Sequence, residues 1–131
     1  MTRRLDSGGP WEGPVGYSRA VAVGDFVFVS GCTSVVGGQL MHEGDARAQT
    51  GQAIANIAEA LAGLGAGLAD VVRTRMFVTD ISRWAEYGQA HGAAFGEIRP
   101  ASSMIGIAAL VDPRMLVEVE AVACKPGIGA R

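Results

Sequence analysis

The sequence predicts an α+β domain in which two helices gather on one face of a mixed β-sheet. Three observations predict it: a hairpin signal near the N-terminus, two segments of helical period separated by a strand, and a period-two alternation near the C-terminus. At 131 residues the chain has the size of one domain, and residues 1–131 are read as a single unit with one core.

Residues 1–16 are rich in Gly and Pro and read as an irregular lead-in on the surface. Arg19-Ala20-Val21-Ala22-Val23 and Phe26-Val27-Phe28-Val29-Ser30 then flank Gly24-Asp25. That pair between two β-branched and aromatic runs predicts a two-residue hairpin turn, because Gly accepts the positive φ required there. A short strand around Gln39-Leu40-Met41 follows the Gly37-Gly38 turn. Asp45 is placed to cap the first helix, whose Ile54, Ile57, Leu61 and Leu64 recur at spacings of three and four. Gly63 and Gly65 are expected to end it.

The next strand, from Asp70 to Val78, sorts Val72, Thr74, Met76 and Val78 onto one face and Val71, Arg73, Arg75 and Phe77 onto the other. Asp80 or Ser82 caps a second helix with an expected inward stripe of Trp84, Tyr87, His91 and Phe95, broken by Arg99-Pro100. Two strands close the domain, at about Ser103 to Ala108 and Met115 to Ala123. In the last, Val117, Val119, Ala121 and Ala123 share one face and Glu118, Glu120 and Val122 the other. Helices on one side leave the second sheet face uncovered, a physical reason to expect oligomerisation.

Composition narrows the function. Hydrophobic residues are 49% and charged residues 18%, too apolar for a disordered chain. A net charge of −2 with scattered Lys and Arg argues against nucleic acid as a partner. No apolar run approaches the roughly 20 residues of a membrane span, and the two N-terminal arginines precede no secretory signal. Cys32 and Cys124 have no zinc or redox spacing and suit the reducing cytoplasm, where the protein is expected to work. With two histidines and no clustered carboxylates, neither a metal nor another cofactor is expected.

An ordered set of motifs resembles the Rid (YjgF) family. The set comprises Gly16-Tyr17-Ser18-Arg19-Ala20-Val21, Val29-Ser30-Gly31, Phe77-Val78-Thr79-Asp80, Arg99-Pro100-Ala101-Ser102-Ser103 and Val117-Glu118-Val119-Glu120-Ala121. The likeness runs from Gly16 to Ala123. It implies a chorismate-mutase-like fold, a homotrimer and small-molecule pockets between adjacent subunits. The deaminase branch of that family hydrolyses enamines and imines such as 2-aminoacrylate, holding the substrate carboxylate with an arginine in a Pro-Ala-Arg-Ser motif.

Here Ser102 stands at that arginine's position, and Gly88 at a frequent family asparagine. A serine supplies one donor and no charge, so a classical 2-aminoacrylate deaminase is not the straightforward expectation. The resemblance makes Glu120 the residue that orients water, with Glu118 read as structural. It makes Tyr17, Gly31 and Ser102 pocket residues, Ser103 a second polar group and Met104 an apolar wall. Arg75, on a strand otherwise built for burial, is read either as an ion-pair partner of Glu118 or Glu120 or as a substitute carboxylate anchor. His91 is read as a packed histidine. Two functions stay open: hydrolysis of a small imine, enamine or related C–N compound, and non-catalytic ligand binding by an accessory trimer.

Overall fold

The computed structural model describes all 131 residues, Met1–Arg131. Strands β1 (Thr2–Leu5), β2 (Ala20–Val23) and β3 (Phe26–Cys32) are followed by a small β4–β5 hairpin (Val35–Val36 and Gln39–Leu40). A helical turn, α1 (Glu12–Val15), lies between β1 and β2. Next come α2 (Ala46–Leu64), β6 (Val71–Val78), α3 (Trp84–Phe95), β7 (Ala101–Gly106) and β8 (Val117–Cys124). The main sheet has the order β1-β2-β3-β8-β6-β7, antiparallel throughout except for the parallel β6–β7 pair across the α3 crossover.

The hairpin forms as expected, with Val23 opposite Phe26 and Gly24 at φ +59°. Asp45 caps α2 by accepting a hydrogen bond from Ala48 N at 3.0 Å. The helix runs on through Gly63 and stops at Gly65, which takes φ +92°. Gly63 stays helical against β1: a Cβ there would sit 3.1 Å from the methyls of Leu5.

The core lies between α2 and the sheet. Ile54, Ile57, Leu61 and Leu64 of α2 are buried, as are Val27 and Val29 of β3 and Val117, Val119, Ala121 and Ala123 of β8. Each fully buried aliphatic side chain contributes about 1.5–3 kcal/mol. Ala46, Ala53 and Ala60 on the helix face Ala20, Ala22, Ala121 and Ala123 on the strands within one cluster. Small side chains on both sides let the layers pack closely, which explains a core rich in Ala and poor in aromatics.

Four expectations need correction. Residues 1–16 are not irregular throughout: Thr2–Leu5 form an edge strand, with Leu5 packed on the core and Arg3 donating to the carbonyls of Leu64 (3.1 Å) and Ile128 (2.8 Å). A cation at the C-terminal carbonyls of α2 satisfies groups the helix cannot bond itself. Val71 joins the core and Val72 is exposed, because the β6–β8 register shifts by one residue between Val71 and Arg73. Trp84 is 63% exposed, so the inward stripe of α3 begins one turn later, at Tyr87. Finally, β7 starts at Ala101, directly after the Pro100 that lacks a ladder donor.

Candidate functional site

The sheet face away from the helices carries the ionisable residues. Arg75 is directly opposite Glu120 on β8 and Ser103 on β7, so the three share that face. Arg75 Nε lies 2.7 Å from Glu120 Oε1. Both side chains keep solvent access, 44% and 33% exposed, so the pair contributes only about 0–1 kcal/mol to stability. The ion pair read for Arg75 is formed, with Glu120 as its partner. Val21, Phe28, Ser30, Arg73, Arg75 and Glu120 are among the residues around a shallow depression of about 240 Å³.

Gly31 sits where β3 bulges against β8, between Val29 and Cys32. A Cβ at Gly31 would fall 2.5 Å from the carboxyl carbon of Glu118, so the glycine makes room for that side chain. Burial pushes the Glu118 carboxyl up; Arg19 draws it down and Glu120 adds to the rise.

Below the bulge lies a network the sequence reading did not single out. Arg19 Nη1 donates to the carbonyls of Gly31 (2.6 Å) and Ser30 (3.3 Å). Its guanidinium carbon sits 5.6 Å from the centre of the Tyr17 ring, and its Nη2 contacts the Tyr17 hydroxyl at 3.4 Å. Glu12 of α1, only 6% exposed, lies 3.6 Å from Arg19 Nε and accepts from Ser7 N (2.9 Å) and the Ser7 hydroxyl. Burial alone would raise the Glu12 pKa, but the Ser7 hydrogen bonds and Arg19 outweigh it and hold the carboxyl below its ordinary value. Tyr17 and Gly31 are therefore clamped by one arginine. The sequence signal was present: Arg19 lies within the first motif and Glu12 just before it.

Ser102 and Met104 are placed differently. Ser102 pairs with Thr74 and Met104 with Met76, which puts both on the helix side of the sheet. Met104 packs against the core, and exposed Ser102 accepts from Thr74 Oγ1 at 2.8 Å. His91 on α3 reaches the same Thr74 oxygen with Nε2 at 2.8 Å and lies against Phe95, ring centres 4.7 Å apart. The expected constellation is thus divided within one chain: Glu120, Arg75, Ser103, Gly31 and Tyr17 in one set, Ser102 and Met104 in the other. No group of three or more His, Cys, Asp or Glu side chains is arranged to hold a metal ion, and no helix is long and apolar enough to cross a membrane.

Comparison with known proteins places this geometry. The family model described as Endoribonuclease L-PSP matches residues 12–125. A crystal structure of Rv2704 from Mycobacterium tuberculosis, described as a member of the YjgF/YER057c/UK114 family, is 48% identical with a TM-score of 0.87, covering 95% of this chain and 99% of that one. The chain belongs to the YjgF family. Streptomyces coelicolor protein SCO2049 is 38% identical over 126 residues, 96% of this chain and 94% of that protein. The 3-aminoacrylate deaminase RutC of Acinetobacter baylyi is 33% identical over 111 residues, 82% of this chain and 85% of that enzyme.

Proposed function

We propose that this YjgF-family chain is a hydrolase of small imines or enamines, working as a homotrimer with a pocket at each subunit boundary. The division of the expected site carries the reading. Glu120 and Ser102 project from opposite faces of one sheet, so a small substrate touching both needs them from two chains. The open sheet face suits such a boundary: Phe26, Phe28 and Val23 are 44%, 47% and 40% exposed there, side by side on paired strands.

In the reaction a water held by Glu120 attacks the imine carbon and gives a proton to the carboxylate. Glu120 passes that proton to the nitrogen to give the carbinolamine, whose hydroxyl proton then reaches the nitrogen through Glu120 as the C–N bond breaks, leaving a carbonyl compound and ammonia. An enamine first tautomerises to the imine. An imine carbon is already electrophilic, so the protein's contribution is to place the water, the substrate and one base. Arg75 fixes which way Glu120 points, and Tyr17 and Gly31 form the wall that Arg19 holds. The non-catalytic alternative is favoured by one observation, that Arg75 already neutralises Glu120.

The test is the rate of pyruvate release from 2-aminoacrylate generated in situ by a serine dehydratase, measured alongside the mass in solution. The wild-type protein is expected to be trimeric and to accelerate hydrolysis of imines without a carboxylate more than that of 2-aminoacrylate. Phe28→Asp, which places a charge on the open face, is expected to give monomers without acceleration although Glu120 and Arg75 are intact. A fully active monomer would sink the shared pocket. An inactive wild-type trimer, tested also on imines without a carboxylate, would favour the accessory role.

A further inference from the structure

Thr74 is a polar residue at a core position of β6, with no exposed surface. Its hydroxyl has one proton to give to either Ser102 Oγ or His91 Nε2, each 2.8 Å away, and we place that proton on Ser102. The 2.8 Å contact from Thr74 Oγ1 to His91 Nε2 is then a hydrogen bond only if Nε2 carries a hydrogen and donates it. Ser102 accepts from Thr74 and keeps its own proton for a partner outside the chain. The three groups form a line of hydrogen bonds pointing one way, from His91 through Thr74 to Ser102, whose open end lies on the exposed edge strand β7. Hydrogen bonds aligned in this way polarise one another, so the Ser102 hydroxyl is a better donor than an isolated serine.

That open end carries no charge. Burial pushes the His91 pKa below its ordinary value and so favours the uncharged ring. Charged groups on the elements around it, Glu86 on α3 with its partner Arg83, and Arg47 and Glu59 on α2, add nothing to that shift. Arg73 and Arg75 of β6 border the depression on the other face of the sheet. In the shared pocket the cation that arrives with Glu120, Arg75, is already paired with it, so a carboxylate brought to Ser102 would lose hydration without a free opposite charge to offset it. An imine nitrogen or an amide oxygen asks only for one donor.

We propose that His91, Thr74 and Ser102 form a directed hydrogen-bond chain that selects a neutral acceptor, an imine nitrogen or amide oxygen, in preference to a carboxylate. The proposal rests on Ser102 being part of the ligand pocket, and not on turnover. In hydrolysis the chain donates a hydrogen bond to the C=N nitrogen and draws electron density from the carbon that water attacks; no proton has to leave His91.

The experiment follows the ring nitrogens of ¹⁵N-labelled histidine by NMR while butyramide or butyrate is added to the wild-type protein. His91 is expected in the Nε2–H form. Butyramide is expected to move its signals and to bind roughly fivefold more tightly than butyrate, the effect of about one hydrogen bond. The near-isosteric Thr74→Val should change the His91 tautomer balance and remove that preference, Thr74→Ser should restore it, and Ser102→Arg should reverse it toward butyrate. Three results would overturn the proposal: butyrate binding as tightly as butyramide, no binding of either, or a Thr74→Val protein that behaves as wild type. A wild-type protein that binds butyramide as described but hydrolyses no imine overturns the hydrolase reading and leaves this one standing.

Discussion

Glu120→Gln is expected to lower imine turnover by about 10²–10³-fold while leaving the fold and the oligomer intact, because a positioned general base contributes on that order to rate. The substitution changes little else. Glutamine has the same shape, and its amide oxygen can still accept from Arg75 Nε, which lies 2.7 Å from Oε1 in the native pair. It cannot take a proton from water. The native ion pair is partly solvated on both sides, so its loss costs at most about 1 kcal/mol of stability. A large fall in kcat with an unchanged urea midpoint therefore separates chemistry from folding. Turnover within about threefold of wild type would show that water is positioned by another group, and Glu118, the half-buried carboxyl beside Gly31, would be the next residue to change.

What the sequence made legible was local. The β2–β3 turn, the Asp45 cap and the alternation of β8 each depend on a few consecutive residues, and each forms where the pattern puts it. What it hid depends on contacts distant along the chain. The face of Val71 is set by a register shift against Ala123 and Val122 on β8, which no pattern within β6 records. Thr2–Leu5 looks like a charged tail, yet Arg3 faces inward because the end of α2 offers it a carbonyl 61 residues away. The site behaves in the same way. Glu120 and Arg75 were legible as a cross-sheet pair, since alternation alone puts both on polar faces. The division of Ser102 from Glu120 was not, because it follows from the register of an edge strand reached through a crossover. One clue to the Ser102 cluster was in reach: Thr74 interrupts the apolar face of β6, and a polar residue at a core position needs a partner.

Arg19→Met is expected to destabilise the protein by about 3 kcal/mol, the range found when one partner of a buried ion pair is removed. The Arg19 side chain is 15% exposed and Glu12 only 6%. Methionine fills much of the volume but leaves the Glu12 carboxylate without its cation and the Ser30 and Gly31 carbonyls without their donor. The Ser7 hydrogen bonds to Glu12 remain, which keeps the loss below that of a fully stripped carboxylate. The pH dependence provides the control. Because the folded Glu12 carboxyl is held below its ordinary value, the stability it contributes is present above its unfolded pKa, about 4.3, and is lost as pH falls through the folded value. Arg19 supplies part of that depression, so wild type should lose more stability on acidification than Arg19→Met. The gap between them should be widest near pH 7 and narrow below about pH 4. Urea midpoints across that interval check it. A gap that does not change with pH would mean that Arg19 stabilises the bulge through the Ser30 and Gly31 carbonyls alone. Turnover should fall in the same variant at neutral pH, since Tyr17 and Gly31 would lose the one side chain that holds both.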